Sequence, residues 1–350
     1  MNPEPFRIEP TFSPRIWGAR SLAPVFPDKT NLPEPIGEAW LTDVNCRIAT
    51  GPFAGKTLGE AWRAMPAGWR GARLANVSDF PLLVKFLFPT DKLSIQVHPD
   101  DAYASVHEQA AGGRGKTEMW HIISADPGAH VLLGLQPGTT KEKFLAALAS
   151  GTVESLFNRV PVSAGDTIFV PARTGHAICP GMVLCEVQEY SDLTYRVHDY
   201  NRLDARGNPR ELHVAKALDV MSFDSTTAAK LKALPIPTAR GRRLLLVACP
   251  YFAVERTDFD ESIDWYPSLN SVEIVVCLSG PGKIAWEEGE AAFHKGDCWL
   301  LPANMPKRSF VVNGSASFIR AYVPDVPSML EEWSAAKSMK RDLPQVIFPL

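Results

Sequence analysis

Two stretches of this chain, AGDTIFVPARTGH (164–176) and KGDCWLLPANMPK (295–307), share a Gly-Asp turn, an apolar run and a Pro-Ala end. A second pair, TEMWHIIS (117–124) and VEIVVCLS (272–279), can be laid together in the same order. A sequence that repeats a supersecondary unit builds its fold from copies of that unit, so this pairing is the tightest constraint on architecture. The unit is β in character. Its runs are short, apolar and β-branched, and turn residues bound them. Thirty prolines and 24 glycines cut the chain into such runs throughout, as in sandwiches and barrels. The two pairs lie at unequal offsets, and the helical stretch at 139–158 in the first copy takes up most of the difference. The expected fold is mainly β: two barrel or jelly-roll units, a few short helices and a helical insertion in the first unit. The unit boundaries are placed at 1–235 and 236–350, with TTAAKLKALPIPTARGRR (226–243) read as a linker.

Local signals fill in this outline. TLGEAWRAM reads as a short helix, with Thr57 and Glu60 spaced as a capping box. DDAYASVHEQA reads as another, capped by Asp100 or Asp101. In the insertion, Thr139 and Glu142 are spaced for a second box and Gly151 for a stop. GEAWLTD, CRIAT, DTIFVP, AICP, MVLCEVQE and TYRVHD read as strands. A formal net charge of -3 points to neither nucleic acid nor an anionic membrane as a partner. Six scattered cysteines without a CxxC pair, in apolar surroundings, read as small buried thiols of a reduced, cytoplasmic protein. No secretory signal and no apolar run long enough to span a bilayer are visible.

The chemistry concentrates in the first copy. In LSIQVHPDD the apolar Leu93, Ile95 and Val97 alternate with Ser94, Gln96 and His98, so one face of a strand carries three polar groups. Glu118 and His176 stand on or beside other strands, and inward side chains of a small barrel converge near its axis. Gln96, His98, Glu118 and His176 together make a plausible first shell for a divalent metal, although a histidine ending a strand is more often structural. Counting ungapped, the second copy offers Tyr251, Ala253, Glu273 and Lys307 at the same places, so the site belongs to the first copy and the second is structural. Alternation puts Lys116 beside Glu118 and Trp120, and groups Arg196 with Thr194 and His198. An ammonium and a guanidinium near a metal pocket suit an anionic substrate.

LSIQVHPDD, GKTEMWHII, GHAI and TYRVHDYNR, with RIWGA, IGEAW and PLLVKFL, resemble type I mannose-6-phosphate isomerase, also called phosphomannose isomerase, in its short bacterial form. The likeness is strong over about 10–205 and weak beyond. It implies a double cupin, one Zn²⁺ per chain on Gln96, His98, Glu118 and His176, and a sugar phosphate substrate. Arg196, Lys116 and Glu186 are then the expected catalytic residues, with Ser94, Lys85 and Trp17 binding substrate. The implied reaction moves a proton between C2 and C1 through an enediolate, converting mannose 6-phosphate to fructose 6-phosphate. Neither the proton carrier nor the oligomeric state, monomer or homodimer, is written in the sequence. Two rivals stay open at this point. Two histidines and a glutamate also describe the facial triad of iron oxygenases, and a cupin can bind a sugar without turning it over.

Overall fold

The computed structural model describes every residue except 1, 204–206, 225–227, 267–269, 336–340 and 350. It is mainly β, and it is a double cupin: each unit packs a seven-stranded sheet against a smaller one. In the first unit the large sheet runs Ala229–Leu231, Thr167–Val170, Glu118–Ala125, Met182–Glu189, Leu82–Leu87, Ile36–Trp40, Thr11–Ala19. In the second it runs Phe6–Ile8, Cys298–Leu301, Glu273–Ser279, Ala316–Tyr322, Ala253–Phe259, Arg242–Ala248, Leu234–Ile236. The smaller sheets are Tyr195–His198, Ile95–Val97, His176–Ile178, His130–Leu135, Phe157–Pro161 and Ile263–Trp265, Arg308–Val312, Pro281–Trp286, Gly289–His294. Matched strand by strand among the described residues, the second small sheet lacks a counterpart of Tyr195–His198, the strand that carries Arg196.

The two large sheets face each other. Val84, Phe86, Met119, Cys185 and Val187 of the first unit share one apolar cluster with Val254, Ile274, Val276, Leu300 and Ile319 of the second. Both faces of each sheet are therefore covered, and strands such as LLVKFL and MVLCEVQE are buried along their whole length. Strand parity then dictates the rest: residues on the other phase point into their own barrel. Trp120, Ile122, Ile168, Val170 and Leu184 line the first barrel. Val275, Cys277, Trp299, Leu301 and Phe318 line the second. His121, on the phase opposite Glu118, takes a hydrogen bond across the unit interface from Arg256 at 3.2 Å, and burial pushes its imidazole down to about 3, so it stays neutral.

The repeat holds at atomic detail. Gly165 and Gly296 both take left-handed backbones, φ 89° and 88°, which glycine adopts without strain. Asp166 accepts the Ser163 amide at 2.7 Å, and Asp297 the His294 amide at 2.8 Å. The helical insertion also stands: Lys141–Ser150 and a 3₁₀ turn fill the connection that the second unit closes with Glu287 and Glu288 alone. The Thr57–Glu60 capping box forms, and Asp100 caps Asp101–His107 by accepting the Tyr103 amide. All six cysteines are free and buried.

Four local expectations are corrected. The insertion helix is capped by Thr140, not Thr139, whose hydroxyl bonds the Gln136 carbonyl instead. CRIAT makes only isolated bridges, at Arg47 and Ile48. The described part of 226–243 is no free linker: Ala229–Leu231 extends the first large sheet and Leu234–Ile236 the second, while 226 and 227 lie outside the described residues. The ungapped partners of Gln96, His98 and His176 are wrong, Arg308 rather than Lys307 standing at the place of His176. Residues 253–259 match Leu82–Leu87, so the true counterpart of Ile95–Val97 is Ile263–Trp265. The Phe6–Ile8 strand of the N-terminus also pairs with Cys298–Leu301, tying the chain start to the second unit.

Candidate metal centre

Three strands and one loop bring the proposed ligands together. His176 opens its strand directly opposite Gln96, and Glu118 opens the strand facing them from the large sheet. His98 follows Ile95–Val97, where the Arg173 amide donates to its carbonyl at 2.7 Å and so joins the two histidine loops. Gly115 allows the chain to pass close enough to do this: a Cβ there would sit 2.6 Å from the Asp100 carbonyl carbon. Asp101, beyond its helix, accepts the Gly115 amide at 2.7 Å and anchors the loop that delivers Lys116.

His98, Glu118 and His176 are each 1% exposed, and their candidate donor atoms all lie within 4.8 Å of one another. Each imidazole meets a backbone carbonyl at Nδ1, His98 at Leu193 (2.7 Å) and His176 at Thr174 (2.8 Å). That places the proton on Nδ1 and leaves the Nε2 lone pairs for the centre, as metal-ligating histidines require. These nitrogens lie 3.5 and 3.3 Å from the Glu118 carboxylate, and His98 Nε2 is buried without a hydrogen-bond partner among the described residues. Gln96 turns Nε2 to His176 at 3.2 Å; rotated by half a turn, its amide offers Oε1 to the same point. Two imidazoles, a carboxylate and an amide oxygen suit a divalent cation.

Charge around the centre is layered. Lys116 Nζ lies 2.9 Å from Glu118. Burial works against both charges, yet the pair wins: Lys116, with the imidazoles, holds Glu118 well below the usual carboxylate range, and Glu118, Glu186 and Asp192 raise Lys116. Burial, then the Glu118 charge, pushes Glu186 up to about 7. Glu186 accepts from Trp120 Nε1 at 3.1 Å and faces Lys85 at 3.8 Å. Lys85 also meets Asp192 at 3.4 Å, a partner the sequence reading missed because it sits on an irregular loop.

Ser94 donates to Gln96 at 3.3 Å, while Trp17 packs into the apolar barrel wall with Trp120 and Leu184. Arg196 is the cross-strand neighbour of Gln96 and shares its face. Its Nη1 donates to the Glu211 carbonyl at 2.9 Å, and its Nε is buried without a partner among the described residues. Nearby, Arg202 and Arg210 both clamp the buried Asp199, the former at 2.6 Å. This cationic cluster was also missed; Arg202 stands in a quoted motif, but Arg210 carries no local signal.

Comparison with known proteins agrees with this geometry. Residues 6–119 match the family described as phosphomannose isomerase type I, catalytic domain, and residues 243–323 match mannose-6-phosphate isomerase, cupin domain. The chain is 34% identical over 336 residues to the mannose-6-phosphate isomerase ManA of Bacillus subtilis, covering 92% of this chain and 100% of that one. It is 33% identical to the mannose-6-phosphate isomerase of Streptococcus mutans, covering 91% and 98%. The crystal structure of the Bacillus subtilis mannose 6-phosphate isomerase superposes with a TM-score of 0.82 at 32% identity, covering 91% and 99%. A variant of phosphomannose isomerase from Salmonella typhimurium, 15% identical, shares the fold with a TM-score of 0.71 over 90% and 98%.

Proposed function

This chain belongs to the type I mannose-6-phosphate isomerase family of aldose–ketose isomerases, and from that premise we propose that it interconverts mannose 6-phosphate and fructose 6-phosphate with one Zn²⁺ per chain. The buried His98–Glu118–His176 cluster beside Lys116 carries this reading. We assign catalysis to the 1–235 unit and a supporting role to 236–350. Gln96, His98, Glu118 and His176 would hold the zinc, which supplies Lewis-acid polarisation of the substrate carbonyl when bound.

The protein's own groups account for the rest. Arg196 presents a buried Nε, unpartnered among the described residues, on the Gln96 face, suited to the developing oxyanion or to phosphate oxygens. Arg202 and Arg210 enrich the same side in positive charge. Lys85 and Ser94 position the sugar, and Trp17 backs the wall against which it rests. Glu186 is the strongest proton carrier: a carboxyl titrating at about 7 is poised both to take a proton from C2 and to return it at C1. Glu118 serves less well, since its oxygens are committed to the centre.

A coupled assay with mannose 6-phosphate, glucose 6-phosphate and fructose 6-phosphate, on protein stripped with chelator and reloaded with zinc or iron(II), tests the proposal. Zinc-restored turnover of mannose 6-phosphate is expected. Turnover of no sugar phosphate would overturn it, and oxygen consumption with iron(II) would favour the oxygenase rival.

A further inference from the structure

The second barrel has not simply lost a metal site; it has been rebuilt around a cavity. Glu273 stands where Glu118 stands, paired with Leu301 and Tyr322 as Glu118 is with Val170 and Gln188. Trp265 and Arg308, a cross-strand pair, replace Gln96 and His176. Arg320 and Glu255 replace Glu186 and Lys85 with the charges exchanged. The result is a closed lattice: Arg320 meets Glu273 at 2.6 Å and Glu255 at 3.3 Å, Arg308 meets Glu273 at 3.0 Å, and Arg243 meets Glu255 at 2.7 Å. Two arginines on Glu273 leave no room for a cation.

Above this floor opens a cavity of about 1000 Å³. Trp265, Tyr266, Tyr322 and Trp333 supply aromatic surface, and Tyr266 is 68% exposed at the rim. The charges on its wall cancel, Arg240, Arg243 and Arg320 against Asp264, Asp325 and Glu332. Thr257 and Arg320 form its nearly closed floor, with their Oγ1 and Nε atoms buried beneath the surface. An aromatic rim over paired polar side chains, with no net charge to neutralise, suits a ligand rich in hydroxyls and without a phosphate.

We propose that the cavity of the C-terminal barrel, between Tyr266 and Trp333 at the rim and Thr257 and Arg320 at the floor, binds an unphosphorylated sugar, a hexose or short oligosaccharide. This site is separate from the metal centre and does not depend on the activity assigned there.

Titration calorimetry of the zinc-loaded full chain tests it, with glucose, mannose and their β-linked di- and trisaccharides as probes. Saturable binding by at least one probe is expected, weakened about ten-fold in Tyr266→Ala and in Trp333→Ala. Both variants should retain isomerase turnover, and His98→Ala should retain sugar binding. No binding by any probe would overturn the proposal. So would binding that survives in both cavity variants but vanishes in His98→Ala.

Discussion

Replacing Glu273 with glutamine should unfold the C-terminal unit at lower denaturant while leaving the metal centre loaded. Glu273 is 1% exposed and accepts from Arg320 (2.6 Å), Arg308 (3.0 Å) and Trp265 Nε1 (2.8 Å). Glutamine keeps one acceptor oxygen but removes the charge. Arg308, whose side chain is 0% exposed, then has no other ion-pair partner among the described residues, whereas Arg320 keeps Glu255. Stranding a buried charge costs about 3–5 kcal/mol; the surviving Glu255 contact argues for about 3 kcal/mol. With a urea slope of about 3 kcal/mol/M, the midpoint of the transition involving this unit falls by about 1 M. Acid provides a second signature. Burial opposes ionisation of Glu273, but Arg320 and Arg308 outweigh it and hold its carboxyl low, so its stabilisation is present at neutral pH and lost as pH falls through that low value. The gap between parent and variant should therefore narrow on acidification. Glu118→Gln, at the matching position of the first unit, should do the reverse and lose bound metal and turnover. Urea titration followed by fluorescence, with elemental analysis of the same samples, decides the matter. A Glu273→Gln midpoint within about 0.2 M of the parent, or metal lost in parallel, would refute the reasoning.

Three further outcomes are expected. His98→Ala should bind no stoichiometric zinc by elemental analysis, and an unchanged metal content would remove His98 from the ligand set. Arg196→Ala should keep its zinc but lower kcat/KM for mannose 6-phosphate by about 100-fold or more, the scale of losing one charged contact to a transition state; full activity at equal metal content would refute its role. In the parent, activity should rise as pH passes upward through about 7, where the Glu186 carboxyl ionises. Glu186→Gln should lose most turnover and, in what remains, that limb of the pH profile; an intact limb would place the proton carrier elsewhere.

Much of this was legible because its cause is local. Alternation in LSIQVHPDD set Gln96 and His98 on one face of a strand and its continuation, and the Thr57–Glu60 and Asp100 caps need only a few neighbouring residues. Where two hydroxyls competed for one helix start, spacing chose Thr139, but the Gln136 turn had already taken it. The stretch at 226–243 looked like a linker because small residues and prolines carry no periodic signal, yet open sheet edges on both units recruited it.

By itself the sequence determined that one β unit is used twice, that a helical insertion interrupts the first, and that two histidines and a glutamine join the glutamate in the first copy, of which the second keeps the glutamate alone. Those are matters of period, turn chemistry and composition, which short segments express without knowing their partners. Only the tertiary structure decided what faces what. Back-to-back packing of the large sheets buries both of their faces, and parity then sends Lys85, Glu118 and Glu186 into one barrel and Glu255, Glu273 and Arg320 into the other. It paired Trp265, not Tyr251, with the place of Gln96, and gathered Arg202 and Arg210 on Asp199. Strand pairing between distant segments sets those relations, and its register depends on bulges and loop lengths that no local window contains.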